Sequence, residues 1–252
     1  MKTLILDVDV RNTGTSSIGS DDEIEKMYGY KPKHIKSMKD LNEFIKTAFE
    51  EYAPAGSFEK VWRLKAPYDK ADIIILDTIS GLQRIMKPEI QGLAPSMTQA
   101  QWGQLGDKLG ALLLKLSNTD RTLIVTCHTK VEKFGEAAYE MPKLQGSMKD
   151  DLADYFDFTM FTQVMIDKQS HTVKYVWQVI PNEMRKACRA LRAYNEEAMK
   201  TGGLMEQNFA TLFEISKKNS GQPLRICVMG PAGSGKTYSL STIPQEQQEP
   251  KV

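Results

Sequence analysis

The residues best suited to chemistry form the run GPAGSGKT at positions 230–237 of the 252-residue chain. This run matches the spacing G-x-x-x-x-G-K-[ST] in full, directly after an apolar strand-like run and before a helix-compatible one. Its three glycines allow backbone amides to turn inward around phosphate oxygens, and the N-terminus of the following helix would face the same anion. The pattern predicts a phosphate-binding loop made of Gly230, Pro231, Ala232, Gly233, Ser234, Gly235, Lys236 and Thr237.

Two ligands for a magnesium ion are expected beside this loop. The Thr237 hydroxyl is the first, and Lys236 would reach the β and γ phosphates. The second is Asp77, which ends the apolar run at residues 71–76 and would hold the ion through water. Tyr238 directly follows the loop and is a candidate for contact with the nucleotide base. The sequence therefore predicts a nucleotide and Mg²⁺ as cofactors.

A hydrolytic reaction would also need a carboxylate that orients water. Residue 78 is Thr, so no second acid follows Asp77 directly. The run LILDVD at residues 4–9 places two acids at the end of another predicted strand. We choose Asp9 as the catalytic base, with Asp7 as the alternative; an ionised aspartate orients water rather than removing its proton outright. His128 and Thr126 end a third apolar run and are candidates for sensing the γ-phosphate.

The elements that must position these side chains alternate between strand and helix. Short apolar runs predict strands at residues 4–8, 73–76, 123–126 and 224–229. Helical spacing predicts helices around residues 41–49 and 102–116, a short one from Ser147, and one over residues 184–200. Residues 158–165 and 173–180 form a predicted antiparallel pair joined by a turn at 168–171. This order predicts an α/β fold with a mostly parallel sheet flanked by helices and an antiparallel hairpin extension.

The position of the loop in this order is unusual. A βαβ unit needs a strand after the helix that follows the loop, and the run TLILDVD at the start of the chain would fit that place. We therefore infer a circularly permuted P-loop domain. A single domain is expected over residues 1–252. Its parts are a core at 1–216, a linker at 217–223, the loop with its strand and helix at 224–243, and a loop or tail at 244–252.

In permuted order the chain resembles phage and prophage RecA-like ATPases of the single-strand annealing and recombination type. The resemblance rests on GPAGSGKT, LILDVD, YDKADIIILDTIS and the segments around Trp102 and residues 144–157. It implies a RecA-like core, ATP and Mg²⁺, and a role in phage DNA recombination or replication. It also implies a homo-oligomer that acts with phage recombination or replication proteins, and Asp9 in the place of the catalytic carboxylate.

The same resemblance implies a DNA contact at residues 130–147. This stretch contains Lys130, Lys133, Lys143 and two aromatic residues, a combination that suits single-stranded DNA. Interspersed glutamates offset much of its charge, so a solvated hairpin is the alternative.

Composition limits the remaining options. The net charge of +1 excludes nucleic-acid binding by bulk charge, and no apolar run approaches the length of a membrane span. Three cysteines without framework spacing favour reduced thiols and the cytoplasm, which would be that of the host if the protein is phage-encoded. A P-loop kinase for small molecules and a non-hydrolysing nucleotide-binding module that docks a partner protein remain alternatives to the ATPase.

Overall fold

The computed structural model describes residues 1–8, 15–54, 56, 60–166, 172–219 and 222–245. The strands of this part are β1 (Thr3–Asp7), β2 (Lys33–His34), β3 (Phe49–Tyr52), β4 (Val61–Leu64), β5 (Ile73–Asp77), β6 (Thr122–Phe134), β7 (Ala137–Pro142), β8 (Phe158–Ile166), β9 (Val173–Gln178), β10 (Leu204–Glu206) and β11 (Arg225–Gly230). The helices are α1 (Asp21–Tyr28), α2 (Met38–Ala48), α3 (Ile79–Gln91), α4 (Gln99–Ser117), α5 (Met148–Asp151), α6 (Arg192–Met199), α7 (Phe209–Asn219) and α8 (Lys236–Ser239). Short 3₁₀ turns occupy Thr15–Ser17, Leu152–Tyr155 and Leu240–Thr242.

One large sheet organises the molecule. Its strand order is β10-β9-β8-β11-β6-β5-β1-β2, and β7 pairs with the outer half of β6. The strands from β8 through β2 are parallel, whereas β9, β10 and β7 are antiparallel to their neighbours. Strands β3 and β4 form a separate antiparallel pair. The predicted α/β P-loop fold and its antiparallel hairpin are confirmed.

Helices bury both faces of the sheet, which explains why its strands read as continuous apolar runs. Side chains such as Leu4, Leu76 and Val125 belong to a core on one face with α2, α3 and α4. Their sequence neighbours Ile5 and Ile75 belong to the core on the other face with α1, α6 and α7. The carboxyl ends of the parallel strands all meet at one edge of this three-layer arrangement.

Side-chain caps set the starts of the two long predicted helices. The hydroxyl of Ser37 accepts a hydrogen bond from the Asp40 amide at the start of α2. At the start of α4, Thr98 and Gln101 form a reciprocal capping box. The helix predicted from Ser147 is the single turn α5.

The helix predicted over residues 184–200 is wrong in its first half, since α6 begins at Arg192. The preceding backbone groups pair with strands. The Glu140 amide donates to the carbonyl oxygen of Met184 at 2.8 Å, and Arg189 exchanges two hydrogen bonds with Thr159 at 2.7 and 2.9 Å. These tertiary bonds satisfy the groups that a helix would otherwise pair, so apolar spacing alone gave the wrong element.

Other boundaries also differ from the prediction. Helix α7 continues through Asn219, so the segment predicted as a linker at 217–223 is helical in its first three positions. The predicted turn at 168–171 and the tail from residue 246 lie outside the described residues. Cys127, Cys188 and Cys227 are buried free thiols. In the described part of the chain, no helix has the length and apolar character to cross a membrane.

Candidate functional site

Four parallel strands, β1, β5 and β6 side by side and β8 beyond β11, each place a buried polar side chain at the carboxyl edge of the sheet. These side chains are Asp7, Asp77, Thr126 and Thr162, from β1, β5, β6 and β8, and each is at most 2% exposed. Asp7 and Asp77 are register partners, so they lie on the same face. Ligands of open α/β sheets bind outside the carboxyl ends of the strands, which makes this edge the expected place for a site.

The glycine-rich loop leaves the sheet at the end of β11, between β6 and β8. Gly233 and Gly235 adopt φ values of 77° and 84°, the left-handed region that favours glycine. Gly230 is required for a different reason: a Cβ there would lie 1.9 Å from Oγ1 of Thr162 and 2.5 Å from Oγ of Ser234. These two hydroxyls are themselves 2.5 Å apart and share a hydrogen bond, which joins the loop to β8.

The helix after the loop is shorter than the sequence predicts. Helix α8 has four residues and continues only as a 3₁₀ turn. Hydroxyl groups compete for its carbonyls: Ser239 Oγ donates to the carbonyl oxygen of Lys236 at 2.6 Å, and Thr242 Oγ1 donates to that of Ser239 at 2.7 Å. A helix this short has little macrodipole, so the loop's own amides are the main feature suited to an anion.

Lys236, Thr237 and Asp77 come together at this edge. Lys236 is buried, with 5% of the residue exposed. Its ammonium group donates to the carbonyl oxygens of Gly230 and Pro231, at 2.9 and 2.8 Å. Thr237 Oγ1 donates to Oδ2 of Asp77 at 3.0 Å. The hydroxyl of Thr126 donates to the other carboxylate oxygen, Oδ1.

Burial raises the pKa of Asp77 from 3.8 to about 6, although the hydrogen bonds from Thr126 and Thr237 act in the opposite direction. The nearby charge of Asp7 raises this pKa further, and that of Lys236 lowers it. A cation beside the carboxylate would favour its ionised form.

The oxygens of Asp77 and Thr237 fit a Mg²⁺ ion, which prefers hard oxygen ligands. In the described ranges, no three His, Cys, Asp or Glu side chains cluster as a metal site. An ion here would therefore complete its coordination with water and phosphate oxygens, as is common for magnesium bound with a nucleotide.

Of the two predicted catalytic acids, Asp7 belongs to the described part of the chain. Asp9 lies outside the described residues. Asp7 accepts a hydrogen bond from Thr15 Oγ1 at 2.6 Å, and its Oδ2 lies 3.2 Å from Nδ1 of His34. The other ring nitrogen of His34 lies 3.1 Å from Asp21. Asp7 is thus held by its own neighbours, and the water-orienting role stays a prediction for either acid.

A cavity of about 600 Å³ opens next to the loop. Lys236, Thr237 and Asp77 line it, as does the predicted sensor His128. The backbone of His128 is fixed on both sides, because its amide donates to Ser80 Oγ at 3.2 Å and its carbonyl accepts from the Lys143 amide at 2.6 Å. Tyr238 also lines the cavity and is 56% exposed.

The three lysines predicted to contact DNA separate into two groups. Lys130 and Lys133 lie on the outer half of β6, where Lys130 pairs with Glu132 at 2.5 Å. Lys143 lines the cavity beside the loop.

Sequence reasoning missed several residues of the cavity and the loop, and three of them bear on the chemistry. Arg84 and Tyr175 line the cavity, and Thr162 contacts the loop. A polar residue inside the apolar run of β8 was a usable signal for Thr162. The sequence contains no comparable signal for Arg84, an exposed arginine on a helix, or for Tyr175, a tyrosine on a hairpin.

The strand order, the glycine-rich loop and the paired Asp77 and Thr237 define an α/β P-loop domain of the nucleotide-binding, ATPase-like class. A family model described as an AAA domain matches residues 2–187, and the chain belongs to that family. The matched range includes Asp77 and His128 but ends before the glycine-rich loop. No curated protein and no solved structure matches the chain.

Proposed function

We propose that this protein binds ATP with Mg²⁺ and hydrolyses it. The observation that carries the proposal is the convergence of Lys236, Thr237 and Asp77 on one cavity. The loop amides would bind the β and γ phosphates, and Lys236 would exchange its carbonyl contacts for phosphate oxygens. Magnesium, held by Thr237 and Asp77, would neutralise charge that develops on the phosphates.

The remaining catalytic roles follow from the sequence. Asp9 is the proposed water-orienting carboxylate, with Asp7 as the alternative, and His128 is the proposed sensor of the γ-phosphate. An ionised aspartate gives general-base assistance of limited strength, so we expect slow turnover in the absence of a partner.

Two tyrosines support a base-binding role at the same cavity. The rings of Tyr175 and Tyr238 are 6.0 Å apart between centroids, and both line the cavity. Tyr175 also packs against Gly235, where a Cβ would lie 2.9 Å from its ring. An adenine base could stack on the outer face of such a pair, since their spacing leaves no room for a base between them.

Circular permutation remains part of the proposal. The loop strand β11 comes after the other strands in the chain, yet it pairs with β6 on one side and β8 on the other. The family match covers the preceding strands without the loop. Both observations support a P-loop unit whose first strand has been moved behind the rest.

Single-stranded DNA is the proposed partner, in phage recombination or replication by a homo-oligomer. A groove of about 400 Å³ beside β7 supports this part, since Phe134, Tyr139 and Lys186 line it. The Lys186 ammonium lies 4.3 Å above the ring of Tyr139, and Phe134 is 57% exposed. Aromatic rings with neighbouring cations are the features that bind bases and backbone of a single strand.

Phosphate release by the purified chain tests the proposal. We expect release from ATP that requires Mg²⁺, rises with a single-stranded oligonucleotide and is lost in Asp9→Asn, while nucleotide binding is retained. If phosphate release is lost in Asp7→Asn instead, the role of catalytic base belongs to Asp7. Tight ATP binding without release under any condition would favour the non-hydrolysing module, and phosphate transfer to a small acceptor would favour the kinase.

A further inference from the structure

Two cations at the cavity differ from the other basic residues near it. Arg84 and Lys143 line the cavity, and within the described ranges neither side chain makes a hydrogen bond, ion pair or ring contact. Nearby cations are engaged: Lys87 lies 5.1 Å from the ring of Trp102, and Arg185 donates to Glu140 at 2.6 Å. Arg84 and Lys143 are therefore available to a ligand in the cavity.

Partly buried hydrogen bonds join the segments that carry the two cations. Gln83, which precedes Arg84 on α3, donates through Nε2 to the carbonyl oxygen of Gln145 at 3.0 Å. The amide of Gln145 donates back to Oε1 of Gln83 at 2.9 Å. The Lys143 amide is bonded to His128, as described above. The segment with Lys143 is thus attached both to the helix with Arg84 and to β6, and Gln83 is the positioning residue.

The charge of the cavity suits a ligand with more phosphate than the loop alone can neutralise. Lys236, Arg84 and Lys143 line it, against Asp77 as the one acidic side chain among its described lining residues. The loop amides and Lys236 can contact the phosphates of a diphosphate and of a triphosphate alike. An arginine fork adds bidentate bonds to terminal phosphate oxygens, and a lysine adds a point charge.

We infer that Arg84 and Lys143 form a terminal-phosphate subsite that makes this cavity selective for nucleoside triphosphates over diphosphates. The inference rests on the proposed nucleotide-binding function and adds its discriminating residues. Arg84 and Lys143 bind the γ-phosphate directly, beside the contacts that Lys236 and the loop amides make to it. The phosphates common to both nucleotides are bound by the loop without Arg84 and Lys143.

Calorimetric binding of ADP and of a non-hydrolysable ATP analogue, both with Mg²⁺, tests the inference. Arg84→Gln and Lys143→Gln are each expected to weaken analogue binding at least about tenfold, because each removes a charge-assisted bond to the γ-phosphate. ADP binding should weaken by less than about twofold. Lys87→Gln, on the same helix but stacked on Trp102, is the matched control and should change neither affinity. Both cavity cations are exposed, so the variants should retain the wild-type thermal midpoint.

The possible results separate the two proposals. Equal loss of both ligands, or no loss of either, in the Arg84 and Lys143 variants would overturn the subsite while leaving the nucleotide site in place. Wild-type protein that binds neither ligand would overturn the nucleotide site and the subsite together.

Discussion

Thr237 donates its hydroxyl to Oδ2 of Asp77 across 3.0 Å, although the two residues are 160 positions apart in the chain. The bond joins the loop after β11 to the end of β5, which are not adjacent strands. Strand β6 lies between them and contributes Thr126, which bonds the other carboxylate oxygen. Asp77 is therefore fixed from two sides before any cation is considered.

Asp77→Asn should abolish Mg²⁺-dependent nucleotide binding and stabilise the ligand-free protein at neutral pH. The folded-state pKa is raised from 3.8 to about 6, so the folded protein binds more protons than the unfolded chain between these values. Stability of the wild type should therefore fall as pH rises through this window, by about 3 kcal/mol at about 1.4 kcal/mol per pKa unit.

Urea unfolding of wild type and Asp77→Asn at several pH values from 4 to 7 measures this effect. Subtracting the free energy of unfolding of Asp77→Asn from that of the wild type at each pH cancels the contribution of the other carboxyl groups. A difference that does not change across the window would contradict the raised pKa.

Lys236→Ala should lower nucleotide affinity by at least about 100-fold, because the variant loses a charge-assisted donor to the phosphates. The fold should persist, since the ammonium group donates to carbonyl oxygens of its own loop and not to a distant strand carbonyl in these two bonds. Lys108→Ala, at an exposed position of α4, is the matched control. Calorimetry and circular dichroism give the two readouts; unchanged affinity in Lys236→Ala would remove the loop from nucleotide binding.

Gly230→Ala should destabilise the protein by about 2–3 kcal/mol and weaken nucleotide binding, because the new methyl group would overlap Thr162 and Ser234. Gly135→Ala is a comparison with open space around it and a φ of 64°, for which about 1 kcal/mol is expected. Adding Thr162→Ala to Gly230→Ala should recover part of the lost stability. Thermal unfolding measures the loss of stability in each variant. Equal losses in Gly230→Ala and Gly135→Ala would show that Gly230 is packed less tightly against Thr162 and Ser234 than the distances indicate.

Tyr238→Ala should weaken ATP binding at least about fivefold without changing the affinity for inorganic tripolyphosphate, because base stacking is worth about 1–3 kcal/mol. Tyr52→Ala removes another exposed tyrosine, 40% exposed and on β3, and should change neither affinity. Competition binding with both ligands gives the measurement. Parallel losses for ATP and tripolyphosphate would mean that Tyr238 acts on the loop rather than on the base.

The sequence predicts those parts of the molecule whose signal is local. Buried apolar runs gave the four central strands, and the glycine spacing gave the loop. Asp77 followed because an acid at the end of a parallel strand must lie at the edge where the loop lies. Arg84 could not be found this way, because an exposed arginine on a helix has the same pattern whether it faces solvent or a cavity. Its location depends on the Gln83 and Gln145 bonds, which join segments 62 positions apart.

The central position of β11 has a consequence for biosynthesis. Strands β1, β5 and β6 can assemble early, and β8 with β9 can form its hairpin, but in the described sheet these two halves meet only through β11. The gap between β6 and β8, called the seam below, stays open until residues 225–230 have left the ribosome. The edges of these two strands remain unpaired until then. The same residues lead into the phosphate loop. Closure of the seam and creation of the nucleotide pocket are therefore one folding event, so a chain shortened before β11 would lack both.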